Sequence, residues 1–279
     1  MNLGQFIKET TSKLNAAGIL TARLDTLVLI SDAWHKDKAW LLANTDQKIP
    51  AHVLSAISPR LAARLKHKPM AYIRGHQEFY GRDFVVNKRV LIPRPESEAL
   101  IDLLKPLAQK APGILIDVGT GSGALGITAA LECPNLEVKL TDIDPLALEV
   151  ANYNARRLKL RLQFYLGDLL ADFNSNHEYP YVQFIIANLP YVDKKWERSS
   201  ETNYEPSIAL FAKDGGLYLI KKLIKQAAKV LKPGGYLLLE SDPRQHDQII
   251  DFANQNSLKL VDQKGFVLVF TRLARKVQA

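Results

Sequence analysis

The sequence predicts an α/β protein: a mostly parallel sheet with helices on both faces, preceded by a small helical bundle. Three observations carry this. Within residues 2 to 68, apolar positions recur three or four apart in short segments. From about residue 95, short apolar runs of strand character alternate with helical stretches. A glycine-rich turn, Asp117-Val118-Gly119-Thr120-Gly121-Ser122-Gly123, joins one such strand to one such helix.

Phe6, Leu14, Leu24, Leu27, Val28, Leu41, Leu42, Val53, Leu54, Ile57, Leu61 and Leu65 supply the helical periodicity, with breaks at Gly18, residues 44 to 50, and Pro69. They predict a bundle of short helices as a first domain, residues 1–70. In residues 72 to 92, Phe79, Tyr80, Phe84, Val85, Val86, Val90 and Leu91 surround Gly81 and Asn87-Lys88. That pattern suits a hairpin linker, residues 71–94. The third part, residues 95–279, carries strands at 114–118, 137–141, 162–165, 184–187, 236–240 and 265–271. Helices are expected from Ala124, at 145–157, at 217–231 (ended by Lys232-Pro233-Gly234-Gly235) and at 245–255. No internal repeat or low-complexity segment interrupts the chain.

With 279 residues there is ample material for a core. No apolar run approaches a membrane span of roughly 20 residues, and the first ten residues lack the pattern of a secretory signal. A single cysteine, Cys133, excludes an intrachain disulfide and a cysteine-rich metal site, so no metal and a cytoplasmic location are expected. Residues 1–95 carry 15 Lys and Arg against 7 Asp and Glu, whereas the remainder carries 22 of each. Such a basic segment is either a solvated helical surface or a steering patch for an RNA-rich or acidic partner.

The glycine turn lets backbone approach a ligand without a Cβ clash. Asp142 ends the next strand, 19 residues beyond Gly123, where a carboxylate can accept from two ribose hydroxyls. Together they indicate an adenosine-containing cofactor without separating NAD from S-adenosylmethionine. The following strand ends in Gly167-Asp168-Leu169, either a cofactor contact or a helix cap. Asn188-Leu189-Pro190-Tyr191 separates the cofactors. It follows the apolar run 184–187, 65 residues after Gly123. The Asn side-chain oxygen and the carbonyl of the next residue can accept both hydrogens of a planar NH2, and an aromatic ring can stack on that plane. Methyl transfer from S-adenosylmethionine to an amide or exocyclic amine follows. The histidines at 35, 52, 67, 76, 177 and 246 read as surface or structural residues, which disfavours hydride chemistry.

These residues sit in a longer pattern: Tyr72-Ile73-Arg74-Gly75, Glu78-Phe79-Tyr80-Gly81, Leu91-Ile92-Pro93-Arg94-Pro95-Glu96-Ser97-Glu98, Glu205-Pro206 with Ala209-Leu210, and Asp214-Gly215-Gly216-Leu217. Over nearly its whole length the chain resembles the protein-(glutamine-N5) methyltransferases of peptide chain release factors, the HemK/PrmC family. The resemblance implies a Rossmann-like class I S-adenosylmethionine-dependent methyltransferase domain with a seven-stranded, mostly parallel sheet. A helical, substrate-docking N-terminal domain and a β-hairpin linker precede it. It implies cofactor binding by Gly119, Thr120, Gly121, Ser122, Gly123 and Asp142, with Leu169 beside the adenine and Asn188 touching cofactor and substrate. It implies that Asn188, Leu189, Pro190 and Tyr191 hold the glutamine of a Gly-Gly-Gln loop, in a monomer.

Three departures stand out. Leu189 replaces the second residue of the family's Asn-Pro-Pro-Tyr. Glu240-Ser241-Asp242 lacks a glycine two residues after the Glu, and Gly265-Phe266-Val267-Leu268 replaces a polar ending. Asn-Leu-Pro-Tyr is similar to the tetrapeptide of ribosomal RNA adenine-N6 dimethyltransferases. An adenine-N6 methyltransferase is therefore the principal alternative, followed by a binding module that keeps the fold without catalysis and by a nicotinamide dehydrogenase.

Overall fold

A computed structural model describes residues 1–171, 173 and 182–274. The chain forms two compact units. One comprises Met1–Gly75 together with Ser199–Tyr204, and the other His76–Arg198 and the chain from Glu205 onward.

The first unit contains helices α1 (Leu3–Ala16), α2 (Ala22–Trp34), α3 (Lys38–Ala43), α4 (Ala51–Leu65) and α5 (Met70–Arg74). Local chemistry sets their ends. Asn2 accepts from the Gln5 amide ahead of α1 and Asp37 from the Trp40 amide ahead of α3, each satisfying one orphan N–H of a first turn. Gly75 ends α5 at φ 82°. Leu3, Leu29, Ile30, Leu41, Ile49, Val53 and Ile57 close the core. Leu24 and Leu42 instead lie half-exposed on the outer helix faces. The one large charged group inside is Arg64, 2% exposed: its Nε donates to Asp25 Oδ2 at 2.7 Å, Nη2 to Glu201 at 2.6 Å, and Nη1 to the Lys68 carbonyl at 3.1 Å. Tyr204 adds a bond from its hydroxyl to the Lys66 carbonyl. Segment 199–204 is thus held by α4 and the turn after it.

The second unit opens with the hairpin β1 (His76–Phe79) and β2 (Arg82–Val85). Its two-residue turn, Tyr80 at φ 52° and Gly81 at φ 73°, has the positive dihedrals of a type I′ turn. Phe79 and Phe84 enter the same core as α6 (Glu98–Lys110) and α7 (Ala124–Glu132). The remaining elements are β3 (Gly113–Val118), β4 (Leu136–Asp142), α8 (Pro145–Arg157), β5 (Gln163–Leu166), β6 (Val182–Ala187), α9 (Ser207–Leu210), α10 (Tyr218–Val230), β7 (Leu231–Glu240), α11 (His246–Gln255), β8 (Leu258–Lys264) and β9 (Val267–Arg272).

Seven strands form one sheet in the order β5-β4-β3-β6-β7-β9-β8, in which only β9 runs against the others, pairing antiparallel with both β7 and β8. The expected α/β fold with a seven-stranded, mostly parallel sheet is therefore present. Alternate residues of the central strands face opposite layers. Ile116, Val118, Ile185, Ala187, Leu237 and Leu239 meet α10 and α11, while Leu115, Phe184, Ile186 and Leu238 meet α6, α7 and α8. Several details differ from the sequence expectation. Helix α6 and strand β8 had no counterpart there. Strand β7 begins at Leu231 rather than Tyr236, because Leu231 pairs with Val182 before a register shift absorbs the Pro-Gly-Gly stretch.

Removing the Arg64 guanidinium would leave Asp25 buried and unpaired. Arg64→Ala should lower the stability of the helical unit by about 3 to 5 kcal/mol, measured by urea unfolding followed at Trp34 and Trp40.

Candidate active site

The chain passes from β3 outward to β4 and β5, then returns to the other side of β3 as β6. This is a switch point, where a crevice opens beyond the carboxyl ends of the strands. Register sets what lines it. Val118 lies opposite both Thr141 and Ala187, and Ala187 lies opposite Leu239. Gly119, Asp142, Asn188 and Glu240 therefore emerge at one level. A cavity of about 320 Å³ lies here.

Gly119, Thr120, Gly121, Ser122, Asp142, Leu169, Asn188, Leu189 and Pro190 all line it. Gly123 and Tyr191 do not. A Cβ on Gly123 would come within 2.6 Å of Ile127 and 3.1 Å of Ala151, so this glycine serves the packing of α7 against α8. Gly121, at φ 55°, has no atom within 4 Å of its Cβ position, so it presents backbone alone to the cavity it lines. Its N–H donates to Asp142 Oδ2 at 2.9 Å, while Asp142 Oδ1 accepts from the Asp144 amide at 3.0 Å. Burial raises the Asp142 pKa, and these two amides oppose the shift. Leu169 sits at φ 58°, strained for a leucine. Thr141 bonds its carbonyl, and Gln226 accepts from the next amide at 2.9 Å. Asp168, on its other side, is ion-paired to Lys222.

Leu189 is only 4% exposed, and its Cδ2 would lie 2.8 Å from a Cβ on Gly119. Its side chain belongs to the core. The Asn188 Nδ2 donates to Ser97 Oγ at 2.9 Å, and Ser97 donates to Glu240 Oε2 at 2.5 Å. The Tyr191 hydroxyl donates to Glu240 Oε1 at 3.0 Å. Burial and the adjacent Glu240 carboxylate push the Tyr191 pKa far up, so the phenol stays protonated.

Several contributors had no role assigned from the sequence. Gln245 Nε2 donates to the Tyr191 carbonyl at 2.9 Å and the Gly215 carbonyl at 2.8 Å, clamping the tetrapeptide from β7's side. Asn154 exchanges hydrogen bonds with the Val85 backbone and donates to the Ser122 carbonyl, tying the hairpin to the glycine turn. Glu205, with its side chain 1% exposed, accepts from the Ile92 amide and pairs with Arg94, joining two quoted motifs. Ser97 and Glu240 stood within motifs but carried no assigned role. No described histidine lines the cavity; His246 is buried against Ser241 and Gln263, and His177 lies outside the described residues. Among the described residues no cluster could hold a metal.

Beneath the turn, Asp117 is buried. Its Oδ2 accepts from Thr120 at 2.5 Å and Gly126 at 2.9 Å, while Oδ1 has no partner. Burial pushes its pKa up to about 7, against those two donors. A carboxyl with a raised folded-state pKa favours the folded state at low pH and loses that contribution as pH rises through about 7. Asp117→Asn should therefore lose less stability than the parent between about pH 4 and pH 7, read from urea midpoints along a pH series.

Gly216, at φ 90°, has its Cβ position 1.9 Å from the Tyr191 carbonyl oxygen. Gly216→Ala must move that backbone and break the Gln245 clamp. A loss of about 2 kcal/mol or more is expected, together with impaired turnover, checked by thermal unfolding and steady-state kinetics.

The family profile described as PrmC N-terminal domain matches residues 5–75, and that described as Methyltransferase small domain matches residues 97–205. The chain is 36% identical over 264 residues to the release factor glutamine methyltransferase of Koribacter versatilis, covering 91% of this chain and 92% of that protein. It is 35% identical over 280 residues to a bifunctional methyltransferase of Rickettsia bellii, covering 89% of this chain but 50% of that longer protein. A methyltransferase structure from Pyrococcus furiosus shares the fold, with a TM-score of 0.51 at 17% identity, covering 78% of this chain and all of that one. With a match that spans both chains almost end to end, this protein belongs to the release factor glutamine methyltransferase family.

Proposed function

We propose that this enzyme methylates the side-chain amide nitrogen, N5, of the glutamine in the Gly-Gly-Gln loop of peptide chain release factors, using S-adenosylmethionine. The observation that carries this is the placement of Asn188 and Leu189 on the cavity wall beside the glycine turn, with a buried Leu189 side chain.

The residues present fit the cofactor. Asp142 keeps lone pairs for ribose hydroxyls beyond the two amides it accepts, and Gly121 offers a surface without a side chain. Val90, Leu91, Ile143 and Leu169 give an apolar flank suited to a purine. When bound, S-adenosylmethionine supplies an electrophilic methyl group. The protein's own contribution is to the nucleophile, which is poor because its lone pair is delocalised into the amide carbonyl.

The Asn188 side-chain oxygen and the Leu189 carbonyl would accept the two N–H bonds of the glutamine amide. That strips the group of water and fixes the direction of its nitrogen, the positional part of the catalysis. The same acceptors stabilise positive charge developing on nitrogen in a water-poor site. Leu189 acts through backbone alone, so replacing a proline there leaves the acceptor intact. The methylated amide releases its proton to solvent without a general base. Tyr191 supports the turn from behind, through Glu240.

Among the described residues no helix is long and apolar enough to cross a membrane. The proposal carries with it a monomeric enzyme working in the cytoplasm, and a helical unit that docks the release factor. Within that unit Arg64 is committed to Asp25 and Glu201, so docking would draw on its other cations, Arg60 and Lys68 among them.

Labelled S-adenosylmethionine with purified release factor, its Gln→Ala loop variant and ribosomal RNA tests the reading. Label on the intact factor alone is expected; label on RNA alone would assign the adenine chemistry instead. Asn188→Ala should lower turnover about 100-fold or more, and parent-like turnover in that variant would sink the mechanism.

A further inference from the structure

Asn188 serves the proposed chemistry through its side-chain oxygen, yet the shape of a primary amide does not distinguish oxygen from nitrogen. The two ends are close in size and exchange by a half-turn of the last side-chain torsion. Turned the wrong way, Asn188 would present an NH2 to the NH2 it has to receive. A neighbour must specify the orientation, and it must do so through hydrogen-bond polarity.

The structure holds such a chain of bonds. Glu240, only 2% exposed, is an acceptor when ionised. Its Oε2 takes the single proton of Ser97 at 2.5 Å and its Oε1 that of Tyr191 at 3.0 Å. Having given its proton to the carboxylate, Ser97 can offer only lone pairs to Asn188. It accepts from Nδ2 at 2.9 Å, and the amide oxygen is left to the cavity that Asn188 lines. Reversing any one bond in this sequence would set two donors or two acceptors against each other.

We propose that Glu240 and Ser97 are positioning residues that set which atom of Asn188 meets the substrate, with Tyr191 as the second donor that keeps Glu240 in place. The identity of the received group rests on the glutamine reading; the relay is a property of this chain. Three separate elements bring the members together: Ser97 from the turn ahead of α6, Asn188 from the end of β6 and Glu240 from the end of β7. The charges facing Glu240 are Glu96 and Arg94, from the turn that carries Ser97. Burial raises the Glu240 pKa; the Ser97 and Tyr191 bonds and Arg94 act in the opposite sense and favour the acceptor form.

Full-length Ser97→Ala, Ser97→Thr and Glu240→Gln variants test this. Ser97→Ala should lower kcat roughly tenfold, the scale of losing a partner that orients a site ligand, with cofactor affinity unchanged. Ser97→Thr keeps the hydroxyl and should recover kcat. Glu240→Gln should lose at least as much as Ser97→Ala, because it offers one acceptor and one donor to two hydroxyls that must both donate. A second readout is independent of turnover. The Asn188 side-chain NH2 resonances, identified by their loss in Asn188→Asp, should include one exchange-protected proton in the parent that disappears in Ser97→Ala. Parent-like kcat in Ser97→Ala, a loss confined to cofactor affinity, or equal protection in parent and Ser97→Ala overturns the proposal. A protected proton in a parent enzyme that labels only RNA would overturn the glutamine reading while leaving the relay standing.

Discussion

Everything at the site depends on the parallel pairing of β3 with β6. The two strands run apart in sequence but level in space, Val118 against Ala187, and β4 and β7 extend the same level on either side. The register is firmly specified because β6 is buried along its whole length. A slip by one residue would send Ile185 and Ala187 into the layer built for Phe184 and Ile186. Once that register is set, the glycine turn, the Asp142 carboxylate, the Asn188 tetrapeptide and Glu240 converge without any long loop having to find its place. The proposed chemistry rests on rigid strand ends, which is where a half-ångström tolerance can be met.

Much of this was legible in the sequence, for identifiable reasons. Strand β3, the glycine turn, Asp142 and Asn188-Leu189-Pro190-Tyr191 declare themselves because each needs unusual residue types at fixed spacing. The central strands are apolar on both faces and so stand out as runs. Strand β8 does not. Beyond Leu258 it is largely exposed and polar, Lys259 to Lys264, and only its pairing with β9 makes it a strand. Asn154 and Gln245 were equally silent, and Ser97 stood in a motif with no role attached. Their work is to bond backbone or another side chain far along the chain, and a single polar residue on a helix or turn carries no mark of such a partner. Arg64 shows the same limit: a lysine- and arginine-rich helix end reads as solvated until Asp25 and Glu201 are seen beside one of its members.

The leucine at position 189 illustrates how a departure from a family pattern is absorbed. Its side chain packs into the sheet's core and occupies the space that the missing Cβ of Gly119 leaves. The two loops therefore interlock sterically, one residue large because the other has no side chain. Proline would restrict the backbone directly; leucine restricts it through burial. Either route holds the carbonyl that the proposed chemistry uses.

Segment 199–204 has a further consequence, for how the chain is made. The helical unit takes its last six residues from a stretch flanked on both sides by the other unit. During synthesis the helices emerge first, but Glu201 and Tyr204 follow only after well over a hundred further residues. At ordinary elongation rates that delay is on the order of ten seconds. Through that interval Arg64 has Asp25 but not Glu201, and the Lys66 carbonyl lacks the Tyr204 hydroxyl. The helical unit thus waits for its last segment while most of the other unit's first part is already made, and nascent-chain folding here is expected to run out of step with chain order.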